Sequence, residues 1–133
     1  IDMGVFDVMQ IPYSALERGH EGLISRAGDS GIGTVIRGGV AKGEPGESGG
    51  SKPDPWKTFE SAGLGELLDE GESRTDFLLR FTLSHPEMHT TIVGTLNPDH
   101  MAQNAAAASK GALADDVYAE AKKRLGVAGE VSA

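Results

Sequence analysis

The apolar positions of this chain fall into short runs separated by glycine-rich or polar stretches. Residues 6–12, Phe6-Asp7-Val8-Met9-Gln10-Ile11-Pro12, are dense in strand formers. They predict a buried strand ending near Pro12, which has no N–H to give a ladder. Leu23, Ile24 and Ala27 recur at helical spacing and predict a short helix over 20–28, stopped by Gly31. Gly33-Thr34-Val35-Ile36 predicts a second strand, placed about 30 residues after the first as in a βαβ unit. Residues 43–54 hold no large apolar side chain and are expected to form a flexible loop. Pro55, Trp56 and Phe59 then predict a helical turn that pins the chain back onto the body. A further short turn is expected around Leu64, Leu67 and Leu68.

Ser73-Arg74-Thr75-Asp76 has the form of a capping box with Asp in the usual Glu position. Behind it Phe77, Leu78 and Phe81 share one helix face and read as core. Asp76 stands four residues before Arg80, an ion-pair spacing. This helix is expected to run to about Ser84, because Pro86 biases His85 out of the α region. The acidic run Glu66, Asp69, Glu70, Glu72 reads as a solvated face. Thr90-Thr91-Ile92-Val93-Gly94 predicts a third strand. Asn97-Pro98 is a strong helix start, and the helix should reach about Ser109. Asp115 and Asp116 open a last helix, and Lys122, Lys123 and Arg124 close it ahead of Gly126, so its charges match the dipole at both ends. Alternating strands and helices mean an α/β fold with a parallel sheet. Three parallel strands alone leave two apolar edges open, which points to a missing piece.

Composition narrows the class. The chain has 133 residues, a formal net charge of −8 and no cysteine. Without cysteine there is no disulfide framework and no thiolate zinc site. The acidic balance speaks against a nucleic-acid surface and against an anionic membrane face. No apolar run approaches the ~20 residues that span a bilayer, and no signal peptide is visible. A soluble, cytoplasmic protein is expected. The start Ile1-Asp2-Met3, without an initiator, reads as a cut inside a longer polypeptide.

In parallel α/β folds ligands bind beyond the carboxyl ends of the strands. After the second strand comes Arg37-Gly38-Gly39-Val40-Ala41-Lys42-Gly43. Its glycines let the backbone approach a phosphate, and Arg37 and Lys42 add positive charge. The same residues also read as a glycine-rich turn with a surface arginine. After the third strand comes Gly94-Thr95-Leu96-Asn97-Pro98-Asp99-His100, where a helix N-terminus suits an anion. It also reads as an ordinary capped helix. Two such loops on successive strands are more informative than either alone. Gln10, near the end of the first strand, reads as an amide-binding group or a plain strand residue, and Tyr13 as core or rim. His20, His85 and His89 share no metal-ligand spacing and are expected at the surface. Ser14 lacks the Gly-x-Ser-x-Gly setting of a nucleophile. No carboxylate pair suggests glycosidase chemistry.

Residues 6–14, 78–84 and 91–104 together resemble the C-terminal part of an aldo-keto reductase, from barrel strand 6 to the last helices. The most specific stretch is Thr91-Ile92-Val93-Gly94-Thr95-Leu96-Asn97-Pro98-Asp99-His100-Met101-Ala102-Gln103-Asn104. The resemblance implies a partial (β/α)8 TIM barrel over residues 1–133, and an NADP(H)-dependent enzyme that transfers hydride between the nicotinamide and a carbonyl or alcohol substrate; NAD(H) stays open. It places Gln10 on the nicotinamide carboxamide. Arg37 falls where many members stack an aromatic ring. Gly38, Gly39, Val40 and Lys42 fall on the pyrophosphate loop, and Gly94, Thr95, Leu96 and Asn97 on the adenosine 2′-phosphate segment. His100 falls where an arginine often selects NADP, and Gly94 where a lysine often stands. Gln103 and Asn104 fall on adenine contacts. The family's Asp, Tyr, Lys and His tetrad has no match here, so the resemblance implies a chain that is inactive alone, with no catalytic residue of its own; the residues themselves give no metal-ligand set. Its expected partner is the N-terminal half of the same barrel or a second copy of this chain. A non-catalytic nucleotide-binding or barrel-assembly module is the alternative, and a domain that recruits a partner by β-addition a third reading.

Overall fold

A computed structural model describes residues 1–40 and 55–127. The loop expected over 43–54 lies outside the described residues, as does Lys42. The elements follow the order β1 (Val8–Pro12), α1 (Glu21–Asp29), β2 (Gly33–Arg37), α2 (Trp56–Ser61), a 3₁₀ turn (Leu64–Leu67), α3 (Arg74–Leu83), β3 (Thr90–Thr91), α4 (Pro98–Lys110) and α5 (Asp115–Val127). Among the described residues no helix is long and apolar enough to cross a membrane.

The strands form one parallel sheet in the order β1-β2-β3, with Ile11 opposite Ile36, Pro12 opposite Arg37, and Val35 opposite Thr90. Helix α1 ends as its glycine predicts. Gly31 sits at φ +73°, its N–H donates to Gly28 O (2.8 Å) and the Ile32 N–H donates to Ala27 O (2.9 Å), the paired bonds of a Schellman motif. Ser73 caps α3 by accepting the Asp76 N–H at 3.1 Å. Two side chains fix β3 beside β2. Thr34 donates its N–H to His89 Nδ1 (2.9 Å) and its hydroxyl to Glu87 O (2.6 Å), while the His89 N–H returns to Thr34 Oγ1 (3.1 Å). The third strand is shorter than the expected 90–94. Gly38 turns β2 away at φ +76°, so after the Ile92 N–H donates to Ile36 O (2.9 Å) no further rung has an acceptor on that side.

One face of the sheet is packed. Ile11 and Ile36 join Ile24, Trp56, Phe59, Leu64, Phe77, Leu78, Phe81 and Leu125 in a single core. The stripe Phe77, Leu78, Phe81 is fully buried, as its spacing predicts. Among the described residues the opposite face is bare. β1 does not behave as a buried strand: Ile11 alone is fully inside, while Val8 is 58% exposed and Gln10 is exposed. A period of two sends alternate residues to opposite faces, and among the described residues only one face has helices on it.

Three polar expectations need correction. Glu72 is not on a solvated face: its carboxylate is buried and accepts from Arg80 Nη1 at 2.7 Å. Arg80 does not pair with Asp76. It bonds Asp69 (2.7 Å), Gly111 O (3.2 Å) and Ala112 O (3.3 Å) as well, tying α3 to the turns on either side. A guanidinium fork serves carboxylates and carbonyls at once, so the buried site outcompetes the exposed i,i+4 partner. His85 is not at the surface but 4% exposed. Pro86 ends the helix and folds His85 inward, edge-on to Tyr13 at 5.3 Å. Gly126 lies inside α5 rather than past its end.

Two outcomes follow from these buried groups. Arg80→Met should lower unfolding free energy by about 3–5 kcal/mol, because it strands the Glu72 carboxylate. Glu72→Gln with Arg80→Met should cost clearly less than the two single losses together, read from urea unfolding of all four proteins. His85 Nδ1 accepts the Glu87 N–H at 3.1 Å, which holds the ring neutral with its proton on Nε2. Burial keeps the imidazole below its ordinary value, against the opposing pull of Glu21. The unfolded chain takes that proton near pH 6.5 and the folded chain resists it. Stability should be full above about pH 6.5 and fall as pH drops below it, and His85→Gln should flatten that slope in thermal melts.

Candidate functional site at the strand ends

The parallel register brings the carboxyl ends of all three strands to one end of the sheet. Gln10 lies opposite Val35, and Arg37 is two residues further along the same face of β2. The amide and the guanidinium therefore occupy neighbouring positions on the bare face, and both are exposed. The Arg37 backbone is held by β1, since its C=O accepts the Tyr13 N–H at 3.1 Å.

Beyond Arg37 the chain turns through Gly38 at φ +76°, a conformation that favours glycine. Gly39 is buried, and a Cβ there would meet Thr82 Oγ1 at 3.2 Å and Thr91 Oγ1 at 3.3 Å. Its carbonyl accepts from the Thr82 hydroxyl at 3.2 Å. Val40 is half-buried behind this turn.

The β3 exit is built by local hydrogen bonds. Thr95 Oγ1 accepts the Asn97 N–H (3.1 Å), and Asn97 Oδ1 accepts the Asp99 N–H (2.9 Å) to cap α4. Pro98 has no N–H to leave unsatisfied. Gly94 and Leu96 are exposed, Leu96 completely. His100 is half-buried in the first turn of α4, with Asn104 one turn on. The Gln103 amide turns toward α3, donating to Ser73 Oγ and Asp76 Oδ1, each at 3.1 Å. The exits of β2 and β3 are thus adjacent, joined through Gly39 and Thr91. Gln10 stands on the β1 side, and Gln103 and Asn104 lie further out along α4.

Tyr13 follows β1 but faces the other way. Its ring is fully buried, and its hydroxyl meets that of Tyr118 at 3.2 Å. Burial, reinforced by Tyr118, pushes its phenol far up, so it is a poor proton donor. Tyr118 is raised by burial as well. Nearby, burial of Glu21 is outweighed by hydrogen bonds from Lys122 and Arg18, which hold its carboxyl low and lock α5 to the start of α1. This cluster is structural and lies behind the sheet. Among the described residues no group of His, Asp and Glu is placed to hold a metal ion.

The spacing of apolar residues gave no sign of Thr82, the side chain that reaches the β2 exit turn. The available signal was a hydroxyl inside a buried helical stripe, which must find an acceptor.

No protein-family profile matches the sequence, and no curated protein matches it. Solved structures do. The holo form of aldo-keto reductase AKR11C1 from Bacillus halodurans superposes with a TM-score of 0.71 at 22% identity, covering 89% of this chain and 41% of that one. Its apo form gives 0.69 at 21%, covering 89% and 43%. The chain thus spans about two fifths of the length of these structures. Its three parallel strands and their helices have the fold of part of an aldo-keto reductase TIM barrel, left unclosed and consistent with the C-terminal part.

Proposed function

We propose that this chain is the nucleotide-binding portion of an oxidoreductase built on an aldo-keto reductase barrel. The observation that carries this is the juxtaposition of two phosphate-type loops at the carboxyl end of a sheet whose inner face is bare. Gln10, Arg37 and the Gly38–Gly39 turn would hold the nicotinamide and pyrophosphate. Gly94, Thr95, Leu96, Asn97 and His100 would hold the adenosine end, with Gln103 and Asn104 beside the base. Lys42, outside the described residues, belongs to the same loop. The glycines fit: at Gly38 the backbone takes a left-handed turn that favours glycine. NADP(H) is the cofactor this reading favours, with NAD(H) as the competing ligand.

When bound, the cofactor supplies the hydride, and the substrate is a small carbonyl compound or its alcohol. This chain's part is to bind and orient it. Its two tyrosines lie behind the sheet with raised phenols, which supports the view that the proton donor comes from elsewhere in the barrel.

The bare surface supports a partner. Phe6 (59%) and Val8 (58%) crowd the β1 edge, and Ile92 (51%) and Leu96 the β3 side. Each such side chain gains about 1.5–3 kcal/mol on full burial. The remaining strands of the same barrel are the natural cover, and a second copy of this chain is the other.

Two measurements test this reading. Titration of ¹⁵N-labelled chain with NADPH should shift the amides of Gly38, Gly39, Gly94, Thr95 and Asn97, with no aldehyde reduction by the chain alone. Unmoved amides at millimolar NADPH would leave only a barrel-assembly module. In size-exclusion chromatography the isolated chain should elute as a self-associated species, and a compact, stable monomer would sink the half-barrel interpretation.

A further inference from the structure

We infer that Thr82, a residue of the helix layer, positions the β2 exit turn from behind. For its effect on ligand binding, this rests on the nucleotide-site reading above.

Thr82 lies in the last turn of α3 and is fully buried. A threonine inside a helix ordinarily turns its hydroxyl back to the carbonyl four residues earlier. Here that acceptor is Leu78 O at 3.0 Å, and a second stands at 3.2 Å, Gly39 O, 43 residues away in the chain. The hydroxyl has one proton for two acceptors. When it points to Gly39, α3 holds the turn that follows Arg37. The contact is steric as well as polar. A Cβ on Gly39 would come within 3.2 Å of Thr82 Oγ1 and 3.3 Å of Thr82 Cγ2, with Thr91 Oγ1 closing the far side at 3.3 Å. Any side chain on Gly39 would press on the two threonines that flank it. Gly38 favours glycine for a different reason, its positive φ.

The consequence is a division of labour. The turn's geometry is set from the buried side, and beside its exposed Gly38 the Glu17 carboxylate comes within 3.8 Å of where a Cβ would stand. Neither Thr82 nor Thr91 needs to touch what binds.

The test uses backbone order, which needs no ligand. In the wild-type chain, ¹⁵N relaxation should give Gly38, Gly39 and Val40 order parameters of about 0.85, the value of a rigid backbone. Thr82→Val keeps the volume and removes the proton, and the same three amides should fall toward about 0.6 while Ile24, Ile36 and Leu78 stay unchanged. Thr82→Ser should restore them. Gly39→Ala, which leaves the hydroxyl in place but fills the space between the two threonines, should shift the same amides and serves as the second variant should Thr82→Val fold poorly. NADPH affinity should drop about three- to tenfold in Thr82→Val and return in Thr82→Ser, on the scale of one lost hydrogen bond. Unchanged order at Gly38–Val40 in both Thr82→Val and Gly39→Ala would overturn the inference, because the hydroxyl would then serve only Leu78. If the wild-type chain binds no nucleotide, the cofactor reading falls, and the order parameters still decide this one.

Discussion

A strand in a parallel sheet has to satisfy its backbone on two sides and cover two faces, because its connections place helices outside and other strands inside. Among the described residues only β2 meets the ladder half of that requirement, with β1 on one side and β3 on the other. No strand of the sheet meets the covering half, since the face carrying Val8 and Gln10 is bare among the described residues. The apolar side chains at that face and along the edges are what a closed cylinder fills with its opposing strands. The same openness places Gln10 and Arg37 where a ligand could lie across the mouth of such a cylinder. The open face of the sheet and the candidate site are one feature seen twice.

What holds the finished side together is largely polar scaffolding around an apolar centre. Arg80 ties α3 to two turns, and Thr34 with His89 sets β3 against β2. Tyr13, Tyr118, Glu21 and Lys122 clamp the start of α1 to α5. A two-residue β3 is a weak ladder, and the side chain of His89 supplies a rung that the backbone does not.

Much of this was legible in the residues. The alternation of elements, the glycine stop after α1, the Ser73 and Asn97 caps and the Phe77, Leu78, Phe81 stripe all depend on local chemistry, and local chemistry is written along the chain. The expectations that fail share a cause. The expectations for Glu72, His85 and Val8 fail because burial is decided by tertiary neighbours: Arg80 on the next helix for Glu72, α1 and Tyr13 for His85, and, among the described residues, the lack of cover for Val8. Periodicity tells which residues share a face and is silent about whether that face is covered. The candidate site is legible only as glycine and capping patterns. Thr82 was hidden because its partner Gly39 is 43 residues distant.

Electrostatics decides what kind of nucleotide site this could be. The chain carries a net charge of −8, and Asp99 sits in the first turn of α4, beside any anion held there. Arg37 is the one cation among the candidate residues described. Screening at physiological salt confines these charges to about 8 Å, so the distant carboxylates matter little: Asp99 weighs on the start of α4, and Glu17, whose Oε2 lies 3.8 Å from where a Gly38 Cβ would stand, weighs on the glycine turn. A phosphate held here would depend on backbone N–H groups of the glycine turn more than on side-chain charge. Backbone donors are useful only where the backbone is fixed, and a turn made of two glycines has the greatest freedom to lose. A second element must therefore restrain that turn, and the place from which it can do so without blocking the ligand is the buried side, where α3 lies.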